Sequence, residues 1–326
     1  MKMAGIEKIK FFYKQIINSG LPGRLLRAKF FAATRPIIVS WRLTNRCNQS
    51  CLYCRLWECE KKEQKTIDVL KRIDKLFSEG IRFFVFTGGE PLLREDIGQI
   101  IGYSSKKGIY VTLNTNGRLL RPEKKCLEGV NRLHLSLDGP EYINDYLRGR
   151  DSFKYTREAL ILAKNQKIPV FLTSVLSKYN LDPGNINFLL NFAEENKVKI
   201  GFQPASLNYL GSNQLNPFSP PIGEYKDAIS YLMKCKIRGN RQIINSVSGL
   251  KHMSYFPEAR KIVCFAEKLV LRIEADGKEF SCGWGRDKDT AGNTCSACWK
   301  YEPLEMNLAG TLRPEPVFNA AQMLFS

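Results

Sequence analysis

Short apolar runs alternate with amphipathic segments along the chain between residues 36 and 205. The runs are rich in β-branched and aromatic residues, as expected of strands that are buried on both faces of a parallel sheet. The intervening segments carry apolar residues at helical spacing, and several end at glycine, for example at Gly80 and Gly108. The predicted strands cover residues 37–41, 81–86, 109–114, 132–137, 169–176 and 198–202. Such strand–helix repeats form right-handed crossovers, so the pattern predicts an α/β fold, a partial (β/α)6 barrel.

Polar and glycine-rich segments directly follow four of the predicted strands. They are the cysteine-containing loop at residues 47–54 and residues 87–91, 114–117 and 136–139. Because the carboxyl ends of parallel strands meet at one rim, where such folds bind ligands, we expect these segments to form one site.

Alternation within the fourth predicted strand also indicates which of its side chains face the barrel interior. Leucine alternates there with His134, Ser136 and Asp138. The leucines should face the outer helices, so we expect the three polar side chains to face the barrel interior. His134 is more typical of a hydrogen-bonded core histidine, and Ser136 lies nearer the rim.

The segments on either side of the predicted barrel differ from it in character. Residues 1–35 carry eight Lys or Arg against one Glu in two amphipathic stretches. This indicates either helices packed on the outside of the main domain or a surface that binds anionic lipid, and we take peripheral membrane contact through residues 1–33 as a hypothesis. Residues 206–260 are predicted to be a connecting helical region. Residues 261–326 are predicted to be a small cysteine-rich extension with a hairpin that turns at Asp276 and Gly277.

Composition narrows the class of protein. The chain of 326 residues is 44% hydrophobic, has ten cysteines and carries a formal net charge of +18. It shows neither a membrane-spanning apolar run nor a signal-peptide pattern, so we expect a cytoplasmic protein, with membrane association through its basic start as the alternative. Cysteines in such a chain indicate metal or redox chemistry more than disulfides. The charge suggests an anionic partner, but no RNA-binding module is visible, which argues against nucleic acid.

Three cysteines, Cys47, Cys51 and Cys54, lie within one short loop. Four thiolates complete the ligand set of a four-iron cluster, one for each iron. Three thiolates would leave one iron without a protein ligand and open to a small molecule, in the same way that a catalytic zinc site keeps one coordination position open. A zinc site that includes Cys59 is the alternative that the spacing also allows.

A second group of four cysteines lies near the end of the chain. Its members are Cys264, Cys282, Cys295 and Cys298. Two separate ligands and one Cys-x-x-Cys pair have the number and kind of ligands for a closed four-thiolate site. The spacing of these cysteines fits either a zinc ion or an iron–sulfur cluster.

The spacing Cys-x3-Cys-x2-Cys, with Tyr53 before the last cysteine, resembles the signature of the radical S-adenosylmethionine (radical SAM) superfamily, and residues 88–91 resemble its methionine-binding segment. The resemblance implies a [4Fe-4S] cluster held by the three cysteines and by SAM itself. It implies that an external electron donor of the flavodoxin or ferredoxin type drives reductive cleavage of SAM to a 5′-deoxyadenosyl radical. That radical would take a hydrogen atom from an unidentified peptide, lipid or small-molecule substrate. The residues that the resemblance assigns to SAM in these two motifs are Tyr53, Gly88, Gly89, Glu90 and Pro91.

Residues 136–153 resemble the branch of this superfamily that has C-terminal SPASM or Twitch extensions. The resemblance assigns Ser136 to the SAM ribose and Arg148 to the SAM carboxylate, an anion that suits the guanidinium fork. The tail matches the opening half of the SPASM pattern, but further cysteines are missing after Cys298, which implies the shorter Twitch form. Its four cysteines would hold an auxiliary [4Fe-4S] cluster that supports electron transfer. A non-enzymatic iron–sulfur scaffold or redox carrier, and an RNA-modifying radical SAM enzyme, are the alternative functions.

Overall fold

The computed structural model describes residues 36–59, 62–121, 127–209, 214–258 and 265–280, together with the single positions 23, 25, 309 and 317. The hypothetical membrane-contact segment lies almost entirely outside this part of the chain. The four tail cysteines also lie outside the described residues; they are Cys264, Cys282, Cys295 and Cys298. The auxiliary site therefore stays a prediction from sequence.

An eight-stranded sheet forms the centre of the protein, and its first six strands confirm the six predicted from sequence. The strands are β1 (Ile38–Thr44), β2 (Phe83–Gly88), β3 (Tyr110–Thr115), β4 (Arg132–Ser136), β5 (Val170–Leu176), β6 (Lys199–Pro204), β7 (Val270–Ile273) and β8 (Glu279–Phe280). Their order is β6-β5-β4-β3-β2-β1-β7-β8, and neighbours are parallel except for β7 and β8. Side-by-side parallel strands need long crossovers, which gives the α/β arrangement that the periodicity predicts.

Helices make up most of the connections between the strands. They are α1 (Thr66–Ser78), α2 (Ile97–Lys106), α3 (Glu141–Arg148), α4 (Ser152–Asn165), α5 (Pro183–Glu195), α6 (Ile222–Ile237), α7 (Val247–Met253) and α8 (Ala266–Leu269). The periodicity does not predict α3, a helix of eight residues between β4 and α4. This short helix matters because it ends at Arg148.

The two faces of the sheet bury different sets of side chains. On β1, Val39 and Trp41 pack outward with the helices, whereas Ile38 packs inward. Ile38 shares the inward cluster with Phe83 of β2 and Phe171 of β5. A flat sheet would hold β2 and β5 about 14 Å apart. Their presence in one cluster is the mark of a sheet that curls into the predicted partial barrel.

The hairpin predicted in the tail is confirmed. Strands β7 and β8 pair antiparallel, and Gly277 adopts a positive φ of 86° in the turn between them. β7 pairs in parallel with β1, so the hairpin extends the sheet of the barrel, a placement that periodicity does not specify. On the outside, Arg72 of α1 donates to the Gly277 carbonyl (3.5 Å) and pairs with Glu279.

The connecting region covers the open edge of the sheet at β6. The Ile200 N–H donates to the Gln242 carbonyl (2.9 Å), and the Ile244 N–H donates to the Ile200 carbonyl (2.9 Å). Next to them, the side-chain amide of Asn245 accepts from the Phe202 N–H (2.8 Å) and donates to the Phe202 carbonyl (3.0 Å). The exposed edge of a sheet can pair with strands of other chains. Here residues 242–244 and the Asn245 side-chain amide form hydrogen bonds with that edge.

Single described positions near both ends of the chain contact the barrel. Leu25 and Ala309 are fully buried in the inward cluster. Leu25 itself therefore packs against the barrel. No helix in the described part of the chain has the length and hydrophobicity needed to cross a bilayer.

Candidate active site

A cavity of about 270 Å³ opens at the carboxyl ends of the strands. The cysteine loop that follows β1 forms one wall, and five further strands contribute to the rest. One residue from each, in strand order, is Thr87, Asn114, Ser136, Thr173 and Gln203. The convergence predicted for the first four strands is confirmed, and it extends to β5 and β6, where the sequence shows no motif.

All three cysteines of the loop, Cys47, Cys51 and Cys54, line this cavity. Hydrogen bonds hold the loop to the neighbouring strand ends and to α3. These bonds join the Gly89 N–H to the Thr44 carbonyl (2.8 Å), the Leu52 N–H to the Leu147 carbonyl (2.9 Å), and the Asn116 side-chain amide to that of Asn48 (2.8 Å). The thiols are thus presented by a loop that is fixed on several sides.

The chemistry of the three thiols fits a cluster better than a single metal ion. Burial raises the pKa of Cys47 to about 11 and that of Cys51 to about 12, so both are neutral thiols until a metal supplies positive charge. Within the described residues, no three Cys, His, Asp or Glu are grouped so as to hold one metal ion. In a [4Fe-4S] cluster each thiolate binds a different iron, and thiols spread around one cavity suit that arrangement. Cys59, the fourth ligand of the zinc alternative, donates its thiol to the Arg55 carbonyl (3.7 Å).

Asp138 is a fully buried carboxylate beside the cysteine loop. Its Oδ2 accepts from the Tyr53 hydroxyl and from Arg148 Nε, each at 2.6 Å. Its Oδ1 accepts from Arg148 Nη2 (3.2 Å) and from the Val175 N–H (2.7 Å). Burial lowers the pKa of Arg148, but the charge of Asp138, the charges of Tyr53 and Cys51 and the hydrogen bond to Asp138 together outweigh this effect and raise the pKa above its ordinary value. One ionised pair therefore ties together the loop, α3 and β5.

Other residues assigned to SAM by resemblance also lie at the cavity. Ser136 and Arg148 both line it, and Arg148 is only 7% exposed. Tyr53 lines it too, with its ring centroid 5.6 Å from the Arg148 guanidinium carbon. The alternation predicted on β4 is confirmed for His134 and Ser136, which share the cavity wall, whereas Asp138 is fully buried and does not line it. The His134 ring stacks on Phe171 at 5.5 Å.

The sequence profile of the radical SAM superfamily matches residues 41–184. This stretch includes the cysteine loop, the glycine-rich end of β2 and Arg148. Residues 41–184 are a radical SAM domain. Such a domain implies SAM and a [4Fe-4S] cluster as cofactors.

Curated relatives in this superfamily differ in their named activities. Fe-coproporphyrin III synthase of Methanosarcina barkeri is 32% identical over 185 residues, which cover 55% of this chain and 45% of that protein. Mycofactocin maturase MftC of Mycolicibacterium smegmatis is 24% identical over 273 residues, 80% of this chain and 68% of that protein. The chain spans about half the length of the curated relatives that it matches.

Solved radical SAM structures share the fold. The structure of Streptococcus suis SuiB bound to S-adenosylmethionine superposes with a TM-score of 0.61 and 17% identity. The superposition covers 89% of this chain and 75% of that one. At this identity the likeness concerns the fold, and it agrees with the partial barrel described above.

The radical SAM glycine-rich segment at the end of β2 divides into two parts. Gly88 and Gly89 line the cavity, whereas Glu90 is fully buried. The Glu90 carboxylate accepts from the Leu92 N–H (3.1 Å), the Thr115 hydroxyl (2.8 Å) and the Asn116 N–H (2.8 Å). Its side chain thus joins the end of β2 to the end of β3, a role that the motif does not indicate. The contacts of Glu90 and Pro91 with SAM stay predictions.

Glu90 should make stability depend on pH. Burial raises its pKa from 4.5 to about 7, against the opposing effect of its three hydrogen bonds. Because the folded state binds this proton more tightly than the unfolded chain, the contribution is complete below pH 4.5 and is lost as the pH rises to about 7. The loss amounts to about 3 kcal/mol.

We expect the free energy of unfolding of the wild type, relative to that of Glu90→Gln, to fall by this amount across the window. Urea unfolding of the metal-free protein measures it. Glu141→Gln, an exposed glutamate on α3, is the control and should keep the wild-type pH profile. Parallel profiles for the wild type and Glu90→Gln would contradict the assignment.

Gly89 is required by close backbone packing. A Cβ atom there would lie 2.2 Å from the Arg46 carbonyl oxygen and 2.5 Å from that of Asn45. Gly89→Ala must therefore move the cysteine loop, and we expect a loss of about 2–4 kcal/mol in unfolding free energy, with reduced iron incorporation. Gly98→Ala on α2 meets nothing within 4 Å and should be neutral or stabilising by up to about 1 kcal/mol. Equal stability of the two variants would show that the loop tolerates the clash.

A hairpin-like segment after β6 supports the cysteine loop from the other side. The Tyr209 hydroxyl donates to the Leu52 carbonyl (3.2 Å), and the Asn216 side-chain amide donates to the Tyr53 carbonyl (3.3 Å). The Arg55 guanidinium carbon lies 4.4 Å from the Tyr209 ring centroid. Sequence reasoning missed these residues, because they lie more than 150 positions from the loop and form no motif.

Proposed function

We propose that this chain is a radical SAM enzyme whose chemistry takes place in the cavity at the carboxyl ends of the strands. The observation that carries the proposal is the convergence of three cysteine thiols and of polar residues from five strands on one cavity. When bound, the cluster and SAM supply a carbon-centred radical that takes a hydrogen atom from the substrate. The protein's own residues bind and orient the cofactors and the substrate, and they exclude water from the cavity.

The proposed ligands divide between the two cofactors. Cys47, Cys51 and Cys54 would hold the [4Fe-4S] cluster. The residues proposed for SAM are Tyr53, Gly88, Gly89, Glu90, Pro91, Ser136 and Arg148. Their places differ, since Glu90 and Pro91 are buried and do not line the cavity, whereas the other five residues line it.

Asp138 gives this arrangement its rigidity. The carboxylate holds the Arg148 guanidinium through Nε and Nη2, which fixes the plane of the fork beside Cys51. The same carboxylate accepts a hydrogen bond from the Tyr53 hydroxyl (2.6 Å). In the sequence, Tyr53 lies between Cys51 and Cys54. A group fixed in this way does not have to reorganise when ligand binds.

The finer parts of the proposal rest on resemblance. The named activities of the relatives differ, so peptide, lipid and small-molecule substrates all stay open. The alignment with the mycofactocin maturase covers 80% of this chain, more than the barrel alone. This supports a Twitch-type extension with an auxiliary [4Fe-4S] cluster on Cys264, Cys282, Cys295 and Cys298. An external flavodoxin- or ferredoxin-type electron donor, a cytoplasmic location and membrane contact through residues 1–33 complete the proposal.

Anaerobic reconstitution with iron and sulfide, followed by dithionite and SAM, tests the proposed activity. We expect 5′-deoxyadenosine and methionine, measured by mass spectrometry. Fully reconstituted protein that forms neither product would contradict the proposal. Zinc bound at the tail cysteines after anaerobic purification would contradict the auxiliary cluster.

A further inference from the structure

Two arginines face the barrel interior from adjacent strands. Ile38 and Val270 belong to the inward cluster. Alternation along the strands therefore places Arg42, four positions after Ile38 on β1, and Arg272, two positions after Val270 on β7, on the same inward face. Glu274, four positions after Val270, follows at the end of β7.

These three side chains form one ionic group. Arg42 Nη1 contacts Glu274 Oε2 at 2.5 Å, and Arg272 Nη2 contacts the other oxygen of the same carboxylate. The Glu274 side chain is 1% exposed, and the two arginine side chains are 13% and 11% exposed. Two guanidinium groups thus share one carboxylate, so these three described side chains together carry a net positive charge in a nearly buried place.

The group lies beside the cavity. Arg42 pairs in register with Thr87 of β2, which lines the cavity. Burial lowers the pKa of Arg42, and repulsion by Arg272 lowers it further, while Glu274 and Cys54 oppose the shift. Arg42 thus adjoins the cavity wall at Thr87, although none of the three side chains is itself among the described residues that line the cavity.

An excess buried charge is costly unless an opposite charge joins it. A guanidinium has five N–H donors in a planar fork, and Glu274 uses only part of those offered by two arginines. Carboxylate and phosphate groups fit such forks and bind through charge-assisted hydrogen bonds.

We propose that Arg42 and Arg272 bind an oxyanion group of the substrate, a carboxylate or a phosphate, in competition with the Glu274 carboxylate that shares their donors. This inference rests on the proposed function, because it assigns the substrate class of the same cavity. The alternative is a structural role alone, in which the three side chains only fasten β7 to β1.

The two hypotheses predict different effects on anion binding when the charge of Glu274 is removed. If Glu274 competes with a bound anion, removing its charge frees donors on both arginines and strengthens anion binding. If the group is only a fastening, anion binding does not depend on it, and replacing Glu274 or Arg272 lowers stability alone.

Isothermal titration of the full-length, reconstituted protein without reductant tests the proposal, with succinate, inorganic phosphate and neutral succinamide as probes. We expect succinate or phosphate to bind and succinamide not to bind. Arg272→Gln should weaken anion binding about tenfold or more, Arg272→Lys should retain part of it, and Glu274→Gln should strengthen it. Arg72→Gln, which removes an outside contact of the same hairpin, should leave anion affinity unchanged.

Succinate binding without phosphate binding would indicate a carboxylate substrate, and the reverse a phosphorylated one. The proposal is overturned if the wild type binds neither anion, if Arg272→Gln and Arg272→Lys bind as tightly as the wild type, or if Glu274→Gln binds no more tightly. Because these titrations involve no SAM cleavage, 5′-deoxyadenosine formation by the wild type reports separately on the proposed function.

Discussion

Replacing Cys47, Cys51 and Cys54 together with alanine will reduce 5′-deoxyadenosine formation to background and lower the iron content by about four atoms per chain. All three thiols line the cavity, where they would hold the cluster. The fold should persist, because the strands and the inward and outward clusters do not depend on these side chains. Iron analysis, circular dichroism and product detection by mass spectrometry measure the three effects.

Cys59→Ala is the matched control for this variant. Cys59 is close to the loop in sequence, but its thiol donates to the Arg55 carbonyl (3.7 Å), so activity and iron content should stay near wild type. Full activity in the triple variant would refute the assignment of the loop. A loss of activity in Cys59→Ala as large as in the triple variant would instead favour the site that includes Cys59.

Asp138→Ala should lower the free energy of unfolding by about 3–5 kcal/mol even in metal-free protein, because it leaves the Arg148 charge buried without its carboxylate. Asp138 is 0% exposed and Arg148 is 7% exposed, so water does little to replace the lost partner. The variant also removes the acceptor of the Tyr53 hydroxyl. Anaerobic urea unfolding followed by circular dichroism measures the change.

Two comparisons separate the buried charge from a general effect of substitution. The double variant Asp138→Leu with Arg148→Met removes both charges and should be less destabilised than Asp138→Ala alone. Asp74→Ala breaks the exposed pair between Asp74 and Lys107 (2.7 Å), which water and salt screen, so it should cost far less stability than Asp138→Ala. Asp138→Ala with a loss as small as that of Asp74→Ala would mean that the buried pair does not organise the site.

Much of the barrel is predictable from the order of residues alone. Runs such as 81–86 are apolar on both faces, and this is a property of parallel strands covered by helices. The parallel attachment of β7 to β1 is not predictable in the same way. A four-residue strand has no feature that selects a partner, and its position depends on how the sheet curls.

Some residues of the candidate site are likewise predictable from the sequence, and others are not. Residues that bind through a fixed local spacing, such as Cys47, Cys51 and Cys54, are visible in one loop. Residues that act by contact across the fold are not. The bond between Asp138 and Tyr53 joins positions 85 apart, and the contact between Arg42 and Glu274 joins positions 232 apart. Only the folded chain brings such pairs together.

The EPR spectrum of the dithionite-reduced protein, recorded with and without SAM, tests the central claim most directly. The account predicts a [4Fe-4S] signal that is missing from the triple cysteine variant and whose g values change when SAM is added, because one iron of that cluster has no cysteine ligand. The proposed auxiliary cluster has four cysteine ligands, so it would add a second signal that SAM leaves unchanged. A wild-type spectrum in which SAM changes no signal, or a triple variant with the full wild-type spectrum, would contradict the assignment of the loop.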